Sequence, residues 1–357
     1  MDRTDDAIDA DTVPQSTSVG TVEDVPVPQP DRGADSVMDN AAHVAEHHLQ
    51  LEGTGDEVPQ NLSPTDVAEV VMQIAAEAAL RHLDPHDEDN PNPPEGYGDY
   101  IRSDKEIARD TGYIVHLIPN DLRCIAESPN WVEAAHIDSY MCCLRRIIKT
   151  QSSGVYDTNY ALMSSSLFVL MVLHWNNTYA GKRFVPGNAI VPDSWLNFVQ
   201  GQSDDERPWW TVEFVLLPCS INNGHWVLAN ICLKQGKVVV YDSLAKSTDS
   251  RKSRVTAMQA LVSLLPILLV QSGYYEHLSK DAPAYKKWAL EILDPGKVAV
   301  PQQPNGHSCG VYVMKYVMDI LRHSEDQWVN NHSMGDMTSL RQKFAMFLYR
   351  HSSVVDS

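Results

Sequence analysis

The segment at residues 301–321, PQQPNGHSCGVYVMKYVMDIL, decides how the fold is to be interpreted. Its first half is rich in Pro, Asn and Gly, which predicts a loop. Its second half has apolar residues at helical spacing and predicts a helix over 309–322. Cys309 therefore lies at a helix N-terminus, where unpaired N–H groups and the helix dipole favour the thiolate form of its side chain. A buried structural cysteine would fit the same pattern, so this residue alone does not establish a function.

The sequence upstream of this segment alternates between strand and helix patterns. Apolar, β-prone runs between turn residues predict strands, and apolar residues three or four positions apart predict helices. The predicted strands are 212–217, 225–233, 237–241 and 298–300, and the predicted helices are 134–149, 253–270 and 309–322. Together these patterns indicate an α+β fold, with a small central sheet flanked by helices.

Three polar residues could complete a nucleophilic site around Cys309. His225 begins one predicted strand and Asp242 follows the next, so a short hairpin places both toward its open end. An Asp–His hydrogen bond would fix the imidazole tautomer and stabilise its cationic form. Gln303 offers amide donors to an oxyanion. Each residue alone fits a structural role, but together they supply a nucleophile, a base, its orienter and an oxyanion donor.

Several strings in the sequence resemble the ubiquitin-like-protease family, the SUMO-specific (sentrin-specific) cysteine proteases. They are GHW at 224–226, YDSL at 241–244 and PQQ-x-NG-x-x-CG at 301–310. The resemblance implies a papain-like cysteine protease fold of the ubiquitin-like protease type, with a small central mixed β-sheet flanked by helices. In that family His, Asp and Cys form a triad, and a Gln six residues before the Cys completes the oxyanion hole. These roles fall on His225, Asp242, Cys309 and Gln303.

An upstream segment, NWVEAAHIDSYMCCLRRI at 130–147, resembles the family pattern WL-x-D-x-x-I-x-x-Y. In the family, the Trp of this segment and the Trp after the catalytic His clamp the diglycine tail of the substrate. The resemblance gives this substrate-binding role to Trp131 and Trp226, although both could instead pack in the core. Two positions depart from the family: Ser308 stands where Asp is usual, and Ala134 where an acidic residue is usual. These departures indicate a divergent branch.

The resemblance implies a cysteine-type peptidase or isopeptidase that hydrolyses the bond after the C-terminal diglycine of a SUMO-like modifier, by attack of the Cys309 thiolate. It requires no cofactor and no metal. The expected partners are SUMO or another ubiquitin-like protein and its conjugates, and the protein is expected to be a monomer. Three alternatives remain open: a binding module that holds a ubiquitin-like protein without cutting it, an acyltransferase of the same clan, and an unrelated structural protein with a chance motif.

Charge is distributed unevenly along the chain, which has a net charge of −19. Residues 1–100 contain 23 Asp and Glu against 3 Lys and Arg, whereas the remaining 257 residues contain 24 acidic and 25 basic residues. No large basic field is present, so nucleic-acid binding is not predicted. Two short basic clusters, 145–149 and 251–254, fall inside predicted helices and are interpreted as solvated faces.

Cysteine spacing and hydropathy indicate which cellular compartments are compatible with the sequence. The six cysteines include no C-x-x-C pair and no zinc-finger spacing, so no metal site is predicted. The N-terminus is acidic and lacks the apolar stretch of a signal peptide. The longest apolar run, 260–270, is shorter than the ~20 residues that span a bilayer, so no membrane association is expected. These features predict an intracellular protein in the nucleus or cytoplasm, and the resemblance favours the nucleus.

Three regions are predicted along the chain. Residues 1–99 form an acidic, largely disordered N-terminal region, because residues 1–60 are rich in Asp, Pro, Ser and Thr and contain no aromatic side chain. A helix is expected within this region at 64–83, with Ser63 as its N-cap. Residues 100–350 form the ubiquitin-like-protease catalytic domain, and residues 351–357 form a C-terminal tail.

Overall fold

The computed structural model describes residues 92–150, 154–201, 205–222, 224–245, 248–297, 300–322 and 336–355. The predicted helix at 64–83 and the rest of residues 1–91 lie outside the described residues. The described chain forms a central sheet with helices on both of its faces, which is the α+β arrangement that the sequence predicts.

The predicted helices at 134–149, 253–270 and 309–322 are all present, as α3, α6 and α8. The helices of the described chain are α1 (Tyr97–Ile101), α2 (Pro119–Ala126), α3 (Ala134–Thr150), α4 (Ser166–Thr178), α5 (Leu196–Gln200), α6 (Thr248–Gln271), α7 (Tyr274–His277), α8 (Cys309–Arg322) and α9 (Met337–Arg350). Over Lys252–Gln271, α6 is long and apolar enough to cross a membrane by length and composition. However, 67% of this stretch is buried inside the protein, as expected for a core helix.

The central sheet is mixed and has the strand order β2-β3-β4-β5-β6. The strands are β1 (Arg109–Asp110), β2 (Tyr160–Leu162), β3 (Phe214–Ile221), β4 (His225–Cys232), β5 (Lys237–Tyr241), β6 (Ala289–Ile292) and β7 (Ser353–Val354). The three middle strands are antiparallel, and β2 and β6 run parallel to their neighbours. In the antiparallel pairing of β4 with β5, Cys232 lies opposite Lys237 and Leu228 lies opposite Tyr241. The start of β4 and the residues after β5 therefore lie at one end of the sheet.

Side chains of the middle strands alternate between two cores, because successive residues of a strand point to opposite faces of a sheet. On β3, Leu216 packs in the core shared with α3, α8 and α9, whereas Val215 and Leu217 pack in the core shared with α4 and α6. Burial on both faces explains why β3 and β4 have continuous apolar sequences rather than alternating ones. Cys309 opens α8 and therefore belongs to the first core.

The two outer strands of the central sheet have no clear sequence pattern. β2 is apolar and buried but has only three residues, which is too short for a recognisable strand pattern, and β6 exposes Ala289 and Glu291. The strand predicted at 298–300 is not found in the described part of the chain: Val300 lies in no strand, and residues 298–299 lie outside the described residues.

Both ends of the described chain differ from the predicted limits at residues 100 and 350. The first helix, α1, already begins at Tyr97, because Tyr97 and Tyr100 pack against Tyr349 of α9. At the other end, β7 pairs with β1 in a two-stranded antiparallel sheet, so the residues predicted as a tail belong to the folded body as far as Val354.

Candidate active site

Cys309 is the first residue of α8, and its side chain is buried. Asn305 organises the loop before it, because its side-chain oxygen accepts the N–H groups of His307 (3.2 Å) and Ser308 (3.0 Å). The Tyr312 N–H donates to the Ser308 carbonyl (3.1 Å), which starts the helix directly after this loop. The first N–H groups of a helix have no acceptor within it, so they are available beside the thiol.

His225 and Asp242 are joined by a hydrogen bond of 2.7 Å between His225 Nε2 and Asp242 Oδ1. His225 is the first residue of β4, and Asp242 directly follows β5, so the hairpin brings them together. Asp242 is fully buried, and its Oδ1 also accepts the N–H of Leu244 (2.7 Å). Since Nε2 is hydrogen bonded to the carboxylate, Nδ1 is the imidazole nitrogen that remains to exchange a proton with a thiol.

The thiol of Cys309 lies close enough to His225 to act on its charge. Burial lowers the pKa of His225, but the hydrogen bond with Asp242 and the interaction with Cys309 outweigh burial and raise the pKa to about 9. A histidine with this pKa is protonated at neutral pH. The site is therefore suited to an imidazolium that stabilises a thiolate.

Gln303 is buried between the loop before Cys309 and the turn after β5. Its backbone N–H donates to the Ser243 carbonyl (2.8 Å), its Oε1 accepts the Ser243 hydroxyl, and its Nε2 donates to the Asn305 carbonyl (2.6 Å). An amide carries two N–H groups on its nitrogen, so one remains for an oxyanion. The adjacent Gln302 donates instead to the backbone carbonyl of Asp242 (2.8 Å), which is a structural contact.

The two tryptophans of the predicted substrate channel lie in different environments. Trp226 is buried, and its Nε1 donates to the Val132 carbonyl (3.0 Å), which ties β4 to the segment before α3. Trp131 is 47% exposed. Core packing accounts for the burial of Trp226 but does not account for an exposed indole at Trp131.

Arg254 corrects the interpretation of the cluster 251–254 as a solvated face. Its side chain is 2% exposed, and its Nε forms an ion pair with Asp242 Oδ2. Its Nη2 donates to the Leu244 carbonyl (2.8 Å). The sequence contained a signal for this burial, because Arg254 shares a helical stripe with buried apolar residues. These residues are Met258, Leu261 and Leu265.

The cluster 145–149 needs the same correction at one position. The Arg145 side chain is 11% exposed and pairs with Glu206 at 3.3 Å, whereas Lys149 remains half exposed. The difference arises because α3 is buried on most of its circumference, so only part of its basic cluster reaches solvent.

A second buried guanidinium, Arg341 on α9, connects the loops on either side of the site. Its Nη1 donates to the carbonyls of Ile125 (3.1 Å) and Glu127 (3.0 Å), at the end of α2. Its Nη2 donates to the carbonyls of Asn130 (2.8 Å) and His307 (3.5 Å). One side chain therefore fixes the backbone just before Trp131 and the backbone just before Cys309.

The charge of Arg341 also acts on the thiol. Burial lowers the pKa of Arg341, and Cys309 raises it, so the cation and a thiolate would stabilise each other. Ser308, the residue directly before Cys309, is fully buried and, unlike an Asp, supplies no negative charge. Within the described part of the chain, no carboxylate lies at ion-pair distance from Arg341.

Comparison with known proteins gives one family match and several similar structures. The model of the Ulp1 protease family, C-terminal catalytic domain, matches residues 130–354. The C-terminal Ulp1 protease domain in complex with Smt3, the yeast ortholog of SUMO, is 16% identical, with 75% of this chain and 96% of that chain covered and a TM-score of 0.44. The Chaetomium thermophilum Ulp1-like SUMO protease catalytic domain is 14% identical, with 72% and 90% covered and a TM-score of 0.44.

A bacterial effector gives a weaker match. Xanthomonas campestris effector protein XopD bound to ubiquitin is 16% identical, with 61% of this chain and 92% of that chain covered and a TM-score of 0.35. A search of the curated proteins found no significant match.

Proposed function

Since the chain belongs to the Ulp1 protease family, we propose that it is a cysteine-type peptidase or isopeptidase that hydrolyses the bond after the C-terminal diglycine of a SUMO-like modifier. Cys309 is the nucleophile, His225 the base, Asp242 its orienter and Gln303 an oxyanion donor. The observation that carries the proposal is the 2.7 Å hydrogen bond between His225 and Asp242, beside a cysteine that opens a helix.

In the first half-reaction, His225 holds the proton of Cys309, and the thiolate attacks the carbonyl carbon of the terminal glycine. A sulfur–carbon bond forms, and the carbonyl electron pair moves onto oxygen. The oxyanion accepts hydrogen bonds from Gln303 Nε2 and from N–H groups at the start of α8. Its collapse breaks the carbon–nitrogen bond, and His225 donates its proton to the leaving amine.

In the second half-reaction, water hydrolyses the thioester between Cys309 and the modifier. His225 is now neutral and removes a proton from the attacking water. The water oxygen bonds to the thioester carbon, the carbon–sulfur bond then breaks, and the new carboxylic acid of the modifier loses its proton to solvent. The thiolate again faces an imidazolium. Asp242 accepts a hydrogen bond from the Nε2–H group of His225 in both halves, so it keeps Nδ1 directed at the reacting groups.

The diglycine specificity follows from the flat walls that Trp131 and Trp226 would provide. Two indoles leave a narrow passage, and glycine is the residue that needs no room for a side chain. The exposure of Trp131 supports this role, because the indole is available to a chain that passes over it.

The test incubates the full-length protein with fusions of SUMO, ubiquitin and other ubiquitin-like proteins, each with a cleavable reporter after its diglycine. Cys309→Ala is the control without a nucleophile. Fusions in which Ala-Ala replaces the diglycine are the control for the channel. We expect the wild type alone to release the reporter, and only from diglycine fusions of one modifier class.

Other results would favour the alternatives. A folded wild type that cleaves no fusion but still binds one of them would indicate a binding module. Transfer of an acetyl group to a partner protein, dependent on Cys309 and without cleavage of any fusion, would indicate an acyltransferase.

A further inference from the structure

Asp242 lies between two cationic side chains, and each oxygen of its carboxylate serves a different one. Oδ1 accepts the hydrogen bond of His225, and Oδ2 forms the ion pair with Arg254. The carboxylate is fully buried, where a charge is costly unless it is paired. A hydrogen bond on one oxygen and an ion pair on the other hold the carboxylate from two sides and leave little freedom for its plane to rotate.

Arg254 also fixes the turn that carries this carboxylate. Its Nη2 donates to the Leu244 carbonyl (2.8 Å), while the Leu244 N–H donates to Asp242 Oδ1 (2.7 Å). The guanidinium is itself buried on α6, so its own position is set by packing. The turn after β5 is therefore held from α6 as well as from the sheet.

We propose that Arg254 is a positioning residue, which holds the Asp242 carboxylate turned toward His225 throughout the reaction. The inference rests on the proposed function and adds a residue to it. The orientation of His225 by Asp242 then depends on a cation carried by a third element, α6.

The chemistry explains why a second cation would be needed. His225 alternates between imidazolium and neutral imidazole during each turnover, so it is a counter-charge for Asp242 only part of the time. Without Arg254, the buried carboxylate would face a neutral ring in the other part of the cycle and would have no cationic partner, which is costly for a buried charge. A guanidinium remains charged at every working pH, so Arg254 provides a cation beside Asp242 while His225 is neutral.

Other ionisable groups near Asp242 do not replace Arg254. His225 approaches from β4, and Tyr316 approaches from α8, where burial and then Asp242 raise the pKa of Tyr316 well above its usual value. Tyr316 is therefore neutral, and its hydroxyl donates to the Pro301 carbonyl (2.6 Å). Cys309 acts on His225 from the start of α8. Among these groups, Arg254 is the permanent cation.

The test measures the pH at which the Cys309 thiolate forms, from its ultraviolet absorbance. Each full-length variant is compared with the same variant carrying Cys309→Ala, which removes the signal of the other five cysteines. The variants are Arg254→Met, which removes the charge, Arg254→Lys, which keeps it, and Lys252→Met, a charge-removing control at an exposed position of the same helix.

Removal of the Arg254 charge should raise the midpoint of thiolate formation by about one pH unit or more, because Asp242 would no longer be held in position to support the imidazolium. Arg254→Lys should stay within a few tenths of a unit of wild type, and Lys252→Met should not change. The acid limb of kcat/KM should move with the midpoint, while KM stays unchanged, because the Arg254 side chain is buried against Asp242 and is not available to the substrate.

Two results would overturn the proposal. One is a folded Arg254→Met with the wild-type midpoint. The other is a midpoint of thiolate formation in Arg254→Lys that is raised by about a unit or more. This result overturns the proposal even if Arg254→Met does not fold. Because the absorbance needs no substrate, either result leaves the proposed function standing if the wild type cleaves a fusion. A wild type that forms its thiolate but cleaves no fusion contradicts the proposed function alone.

Discussion

Gly310 and Val132 lie so close together that a Cβ on Gly310 would be 2.7 Å from the Val132 Cβ. The Val132 carbonyl also accepts the hydrogen bond from Trp226 Nε1 (3.0 Å). The contact therefore joins the first turn of α8 to the segment that carries Trp131. The residue after Cys309 must be glycine, because any side chain there would push this segment away.

Replacement of Gly310 by alanine should reduce both stability and activity. The new Cβ displaces Val132 from a packed core, which we expect to lower the free energy of unfolding by about 1–3 kcal/mol. The displaced segment also moves Trp131 relative to Cys309, so kcat/KM for a diglycine fusion should fall by about tenfold or more. Urea unfolding and initial rates measure the two effects.

Gly306→Ala is the matched control, because a Cβ at Gly306 meets no atom within 4 Å. It lies in the same loop-to-helix segment and should leave stability and rate near wild type. A Gly310→Ala protein that unfolds and cleaves like the Gly306→Ala protein would show that Val132 yields without cost, contrary to this prediction.

Substitution of Trp131 and Trp226 should separate substrate contact from core packing. Trp131→Ala should change the free energy of unfolding by no more than about 0.5 kcal/mol, because the side chain is half exposed. It should still raise KM and lower kcat/KM, because a wall of the channel is lost. Trp226→Ala should cost about 3–5 kcal/mol, because the side chain is buried and hydrogen bonded.

The same two measurements, urea unfolding and rates on diglycine fusions, decide this prediction. Equal kcat/KM for Trp131→Ala and wild type would leave the exposed indole without a role in substrate binding. Trp131→Phe is the conservative variant, and it should recover part of the lost kcat/KM because it restores a flat wall.

Sequence patterns predict the parts of the site whose geometry is set by neighbours along the chain. A loop followed by a helix places Cys309, and one hairpin places His225 and Asp242, so both could be predicted. Arg341 could not be predicted, because it contacts Ile125 across 216 positions of sequence. Arg254 shows a partial signal in its helical stripe, but its partner Asp242 emerges only when α6 packs on the sheet.

The two outer strands of the central sheet could not be predicted from the sequence, for a related reason. β2 and β6 are short edge strands, and each is defined by pairing with a strand that is already buried. β6 exposes residues on one side, including Glu291, and β2 is buried but only three residues long, so local sequence gives neither a clear strand pattern. The order of the sheet therefore depends on tertiary contacts, whereas its three middle strands are readable from sequence.

The raised pKa of His225 predicts an alkaline limit to activity. Its pKa of about 9 means that the imidazolium is present at neutral pH and is lost as the pH rises through about 9. A neutral His225 has no proton for the leaving amine, so kcat/KM should fall across that range. Asp242→Asn removes the charge that supports the imidazolium, so its limit should move to lower pH and its maximal rate should fall.

A pH–rate profile on one diglycine fusion measures both limits. Asp319→Asn is the matched control, because Asp319 pairs with Lys315 on α8 and does not contact His225. It should keep the wild-type limit. An Asp242→Asn profile with an alkaline limit at the wild-type position would contradict the role of Asp242 in setting the pKa of His225.

His351 should make the fold sensitive to acid. It is buried at the end of α9, with its ring 4.3 Å from that of Phe347. Burial, followed by the charges of Arg350 and Arg146, lowers its pKa to about 3. An unfolded histidine titrates near ~6.5. Between these two pKa values the unfolded state binds a proton that the folded state does not, so stability falls as the pH is lowered.

The loss attributable to His351 should reach up to about 1.4 kcal/mol for each pH unit in this window. Urea unfolding at a series of pH values from about 7 to 4 measures it. His351→Phe keeps an aromatic ring beside Phe347 and cannot titrate, so its stability should fall less steeply than that of wild type. His116→Phe, at an exposed position, should keep the wild-type slope. If stability falls equally steeply with decreasing pH in wild type and in His351→Phe, the fold accommodates the His351 proton, contrary to this prediction. The remaining acid dependence comes from groups that both proteins share.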